Sequence, residues 1–136
     1  FDCSEKDFNE ILERISSLEL SEDFDAVVAI ANGGTLPAEL IRQKLGIELF
    51  LLKINLRDSN HMPVHPQPVL LHPIDFEVIN KRFLLVDDRI KTGRTIEFAK
   101  RLLLEKGASI VTTLAVNGNA DYSLYNEACF RFPWIL

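Results

Sequence analysis

LLVDDRIKTGRT, residues 84–95, is the stretch from which the fold of this chain is read. The apolar run 83–86 reads as a buried strand, two adjacent carboxylates follow at Asp87 and Asp88, and a short loop with Thr92, Gly93 and Thr95 opens a helix. In an open α/β sheet, ligands sit beyond the carboxyl ends of the strands, and a helix N-terminus there offers unpaired backbone N–H groups to an anion. Phosphate therefore goes to the loop, and hydroxyls or a metal to the carboxylates. Thr-Gly-x-Thr alone is ordinary punctuation before a helix; directly after Val-Asp-Asp it is specific. The chain has no Gly-Lys-Ser/Thr of a Walker loop and no G-x-G-x-x-G of a dinucleotide fold.

On either side of this stretch, strand and helix patterns alternate. Ser4 with Asp7 reads as a helix start, and Phe8, Ile11, Leu12, Ile15 and Leu18 recur at the spacing of one helical face. Residues 25–30 read as a strand running into Asn32, Gly33 and Gly34; a helix follows, with Pro37 in its first turn and Leu36, Leu40, Ile41 and Leu45 inward, ending at Gly46. Further strands are expected over 47–54, 83–86 and 109–116, a helix over 94–106 stopped by Gly107, and a fifth strand over 128–132. The alternation predicts an α/β fold: a mostly parallel, doubly wound sheet with right-handed crossovers and helices on both faces. Residues 55–75 carry four prolines and all three histidines and read as a long flexible loop between the second and third strands.

Composition bounds the reading. At 136 residues the chain is expected to form one domain spanning 1–136, large enough to bury roughly two-thirds of its unfolded surface. A net charge of −5 without a Lys/Arg stripe argues against nucleic acid, and no apolar run approaches the ~20 residues of a spanning helix, so no membrane partner is expected. Cys3 and Cys129 are expected to stay reduced, as in cytoplasm. The start at Phe1, without a Met or a basic-then-apolar leader, is read as a trimmed or processed end and not as a secretory signal. His61 and His65 are separated by Pro63, which argues against a helical zinc pair.

Leu84 to Thr95 resembles the signature of the type I phosphoribosyltransferases in order and spacing. VVAIANGGTLP, residues 27–37, resembles that family's first strand and Gly-Gly pyrophosphate loop, and Phe132-Pro133-Trp134 is similar to the ending of its bacterial and archaeal purine members. The resemblance implies transfer of a 5-phosphoribosyl group from Mg²⁺-phosphoribosyl pyrophosphate to a nitrogenous base, a purine by preference, in nucleotide salvage. It implies a cytoplasmic enzyme; the sequence leaves the oligomeric state open, a homo-oligomer such as a dimer included. Asp87 and Asp88 would hold the ribose hydroxyls directly or through Mg²⁺ and, with Lys91, make the catalytic set. Lys91, Thr92, Gly93, Arg94 and Thr95 would cradle the 5′-phosphate; Asn32, Gly33, Gly34 and, from the closing loop, Arg57 would meet pyrophosphate; Asn117, Phe132 and Trp134 would meet the base.

The base half departs from the family pattern. The loop position where 6-oxopurine members carry an Asp, suggested to accept the purine proton, is Lys91, and a protonated lysine cannot accept it. The base-contacting Lys falls at Asn117, the stacking Trp at Cys129, the final acidic residue at Ile135, and the cation before the two glycines at Asn32. These departures carry an alternative: a regulatory domain of the same fold that senses phosphoribosyl pyrophosphate or a nucleotide with little turnover. Thr-Gly-Arg-Thr also occurs in a pyrimidine-operon attenuator of this fold. A signalling receiver would place its acidic pair near the start and a phosphoacceptor Asp on a later strand, and neither holds.

Overall fold

The computed structural model describes residues 4–57, 67–128 and 130–134. Its elements in chain order are β1 (Ser4–Glu5), α1 (Phe8–Ser17), β2 (Ala26–Ala31), α2 (Thr35–Leu45), β3 (Glu48–Arg57), β4 (Gln67–Leu70), β5 (Arg82–Arg89), α3 (Arg94–Glu105), β6 (Ile110–Asn117), β7 (Tyr122–Tyr125) and β8 (Phe130–Arg131). Among the described residues six strands form one sheet in the order β4-β3-β2-β5-β6-β7, parallel throughout except for the edge pair β3–β4. The short strands β1 and β8 pair with each other, parallel, apart from it.

Period-two alternation along the central strands splits the core in two. Val27, Ala29, Leu84, Val86, Leu114 and Val116 face one way, against Ile11 and Ile15 of α1 and Ala38 and Ile41 of α2. Val28, Ile30, Phe83, Leu85 and Val111 face the other way, against Ile96, Ala99 and Leu103 of α3. This is the expected α/β layering, and a strand buried on both faces must be apolar at nearly every position, as β2 and residues 83–86 of β5 are. Helix boundaries follow local chemistry. Asp7, not Ser4, caps α1, its carboxylate accepting the Asn9 N–H at 3.2 Å. Gly46 ends α2 in the left-handed conformation at φ 68°, its N–H donating to the Arg42 carbonyl.

Several sequence expectations are corrected. Phe8 and Leu12, expected inward, stand at the margins of the α1 face, 37% and 36% exposed. β5 does not stop at Val86 but runs through both aspartates to Arg89, because β6 continues beside it and pairs Asp87 with Ala115 and Arg89 with Asn117. The segment expected as loop over 55–75 contains β4, hydrogen-bonded to the end of β3 with Pro68 opposite Leu56, a proline that an edge strand tolerates. The expected fifth strand is only Phe130–Arg131 and pairs with β1, not with the main sheet. The sixth strand of that sheet is β7, for which the sequence gives no sign. Cys3, Cys129, His61 and His65 lie outside the described residues. Among the described residues no helix is long and apolar enough to cross a membrane.

Candidate active site

The carboxyl ends of β2, β5 and β6 deliver three loops to one edge of the sheet. Alternation along β5 separates the two aspartates: Asp87 continues the α3 face, and Asp88 turns toward the loop between β2 and α2. There a Cβ on Gly33 would sit 2.4 Å from the Asp88 Oδ2, and one on Gly34 would sit 2.5 Å from the Val86 carbonyl oxygen and 2.9 Å from that of Ile30. Both positions therefore need glycine for close approach, and the Asn32–Gly34 loop and the acidic pair form one site. The Gly34 N–H donates to the Ile30 carbonyl and the Thr35 N–H to that of Asn32. The peptide bond between Ala31 and Asn32 is cis.

Asp87 is 9% exposed, and burial first, with the neighbouring Asp88 charge second, pushes its carboxyl up to about 8. Its Oδ1 accepts the Asp88 N–H at 2.8 Å, and the Asp88 Oδ1 accepts the Arg89 N–H at 2.6 Å. Two carboxylates so placed suit a hard divalent cation. No group of three or more Asp, Glu, His or Cys side chains gathers around a metal position among the described residues. Asp87 and Asp88 would hold such a cation and leave the rest of its shell to water and other oxygen ligands, the way Mg²⁺ is usually bound.

The loop after β5 turns at Gly93, left-handed at φ 83°, which stands at the N-cap of α3 without a side-chain hydrogen bond. Within the turn the Thr92 Oγ1 accepts a long hydrogen bond, 3.4 Å, from the Arg94 N–H. Arg94, Thr95 and Ile96, in the first turn of this twelve-residue helix, line a cavity of about 280 Å³ together with residues 87–93 and Phe132. The lining carries Arg89, Lys91 and Arg94 beside Asp87 and Asp88. Oriented N–H groups with cations favour a phosphate, and the acidic pair keeps the adjoining ground for hydroxyls or metal.

Phe132 closes this cavity on one side. It is 4% exposed, stacks on Trp134 at 5.1 Å between ring centroids, and carries the Arg89 guanidinium 5.1 Å from its ring centre. Trp134 Nε1 is buried with no hydrogen-bond partner among the described residues. Asn117, expected at the base, is 5% exposed with its amide turned to the main chain of Glu127: Nδ2 donates to the carbonyl at 3.0 Å and Oδ1 accepts the N–H at 2.8 Å. A buried amide takes the partners that satisfy it, and here they are the next segment of the chain. Arg57 ends β3 with its main chain paired to Gln67, and its side chain lies outside the described residues, as does Ile135.

The structure thus brings Asp87, Asp88, Lys91 to Thr95 and Phe132 around one cavity, with Gly33 packed against Asp88 from outside the lining. Ile90, Ile96 and Arg89 are lining residues that sequence reasoning missed, and of the three only Arg89 is charged. Its only signal is its place after the acidic pair, which becomes meaningful once β5 is known to continue through it.

The phosphoribosyl transferase domain family profile matches residues 3–132. Xanthine-guanine phosphoribosyltransferase of Chromohalobacter salexigens is 30% identical over 121 residues, 85% of this chain and 71% of that one. The bifunctional protein PyrR of Limosilactobacillus reuteri is 39% identical over 62 residues, 44% of this chain; the match spans 35% of PyrR, about a third of its length. Among solved structures, a purine phosphoribosyltransferase from Pyrococcus horikoshii superposes with a TM-score of 0.84 at 22% identity, over 96% of this chain and 93% of that one, which shows a common fold. With the profile spanning nearly the whole sequence, this chain belongs to the phosphoribosyl transferase domain family.

Proposed function

We propose that the protein transfers the 5-phosphoribosyl group of Mg²⁺-phosphoribosyl pyrophosphate to a ring nitrogen of a purine, releasing pyrophosphate. The observation that carries this reading is the convergence of a glycine loop, an acidic pair of which Asp87 is buried and Asp88 half-buried, and the N-terminus of α3 on one sheet edge, each suited to a different part of one phosphorylated sugar. The 5′-phosphate fits the turn from Lys91 to Thr95, where backbone N–H groups and the hydroxyls of Thr92 and Thr95 meet it. The ribose hydroxyls fall to Asp87 and Asp88. Pyrophosphate leaves across Asn32, Gly33 and Gly34, with Arg57 as an added cation.

The bond from C1′ to the pyrophosphate oxygen breaks as the bond to the base nitrogen forms, so C1′ gains positive and the leaving group negative charge. Groups fixed in advance around the leaving oxygens stabilise that charge without reorganising. Mg²⁺, when held by Asp87 and Asp88, supplies further neutralisation of the phosphate oxygens. Phe132 and Trp134 form an apolar wall on which the base is aligned, and alignment is worth several powers of ten in rate. Lys91, a donor where a proton acceptor is expected, serves the phosphate side.

One observation favours a second reading, a sensor of phosphoribosyl pyrophosphate or a nucleotide with little turnover. The base side of the site lacks both the loop acceptor and the reaching lysine, and Asn117 is committed to Glu127. Calorimetry tests what the two readings share: Mg²⁺-dependent binding of phosphoribosyl pyrophosphate by the parent protein, weakened by a hundredfold or so when Asp87→Ala and Asp88→Ala are combined, about 2.7 kcal/mol. Unchanged binding by the double variant removes the site assignment.

A further inference from the structure

We infer that Asn117 is a positioning residue: it ties the aromatic wall at Phe132 and Trp134 to the phosphate loop, so that the base side of the site is set by the phosphoribose side. The inference rests on the proposed transfer reaction for its kinetic consequence, but not for its structural one. Asn117 ends β6 between Arg89 of β5 and Tyr125 of β7. Its main-chain oxygen accepts the N–H of Ile90, the first residue of the loop toward the phosphate turn, at 2.9 Å. The next residue, Gly118, lies so close that a Cβ there would be 2.7 Å from the Ile90 Cβ and 2.8 Å from its carbonyl oxygen. The main chain at 117–118 is therefore fixed against the phosphate loop.

The Asn117 side chain points the other way in its bonding. Its amide imitates a paired strand, giving one hydrogen bond to Glu127 and taking one from it. Lys6 holds the same residue through an ion pair of 3.0 Å. Five residues beyond Glu127 the chain reaches Phe132, whose ring packs between Trp134 and the Arg89 guanidinium. Arg89 is also the strand neighbour of Asn117. One residue thus touches the start of the phosphate loop with its backbone and the root of the aromatic segment with its side chain. Losing the amide removes two hydrogen bonds from the part-buried main chain of Glu127, and that segment shifts as it replaces them.

The chain's single tryptophan, Trp134, makes this testable without any assay of turnover. Asn117→Ala and the near-isosteric Asn117→Asp, which keeps the acceptor for the Glu127 N–H but loses the donor to its carbonyl, are compared with the parent protein. Expected in the ligand-free protein is a red-shifted, more quencher-accessible Trp134 emission, larger for Ala than for Asp. Calorimetric binding of Mg²⁺-phosphoribosyl pyrophosphate should stay within about twofold, while the KM for a purine rises roughly tenfold in the Ala variant, about 1.4 kcal/mol, and less in the Asp variant. If Asn117→Ala does not fold, the Asp variant alone decides. Unchanged Trp134 emission in the folded variants overturns the positioning role, as does an equal loss of phosphoribosyl pyrophosphate binding. If no purine is turned over, the transfer reading fails while the emission and binding still judge Asn117.

Discussion

Asp87 sits where an ionised carboxylate is costly, and its shift has a definite consequence for stability. A carboxyl raised from 3.8 to about 8 holds a proton in the folded protein that the unfolded chain has released. Stability therefore falls as pH rises through that window, and above it the full cost of the buried charge stands. Asp87→Asn removes the cost while keeping an oxygen for the Asp88 N–H. Urea denaturation of ligand-free protein should show the Asn variant more stable than the parent at pH 8, the gap closing as pH falls toward 4; a gap independent of pH contradicts the assignment. The two glycines should separate in the same way. Gly34→Ala meets backbone oxygens that cannot move aside and should lower stability by about 1–3 kcal/mol in denaturation experiments. In Gly33→Ala the atoms nearest the new Cβ are those of the Asp88 carboxylate, so thermal melts should change less while calorimetry shows weakened Mg²⁺-dependent binding of phosphoribosyl pyrophosphate. At this scale residue type and order were enough to read the gathering of Asp87, Asp88 and Thr92 to Thr95 around one cavity, with Gly33 against Asp88. The sequence was not readable at Asn117, because the partner of its amide lies ten residues on, past a strand with no pattern of its own.

The elements that were legible carry their own periodicity. β2, β5 and β6 are apolar runs because both faces are covered, and α3 shows its inward stripe at Ile96, Ala99 and Leu103. That stripe predicts a contrast between adjacent residues. Leu103→Ala, fully buried, should cost about 2–5 kcal/mol by urea denaturation. Leu104→Ala, 43% exposed, should stay within about 0.5 kcal/mol. The elements that were not legible are stabilised from outside themselves. β4 exists because the end of β3 offers it an edge, β7 because β6 does, and β8 because Ser4 and Glu5 lie beside it. Each has four residues or fewer, too short for alternation to rise above chance. The same limit misplaced the end of β5, since the two aspartates look like a strand terminus until the neighbouring strand is known to run on.

Across the whole molecule, the alternation of strands and helices was enough for the α/β class and for which end of the sheet bears the site. Strand order was not, since β4-β3-β2-β5-β6-β7 depends on pairings distant in sequence. The net charge of −5 coexists with a cavity lined by Arg89, Lys91 and Arg94, so the anion binding proposed above is local and would draw on loop, helix N-terminus and side chains together. In the proposed function a phosphoribose grip lies beside an aromatic wall, and transfer to a purine is the reaction that uses both. The most direct test is release of pyrophosphate from Mg²⁺-phosphoribosyl pyrophosphate with hypoxanthine, guanine, xanthine, adenine, uracil and orotate supplied in turn. The proposed function predicts release with at least one purine, abolished by combining Asp87→Ala with Asp88→Ala; tight binding without release for any base contradicts it.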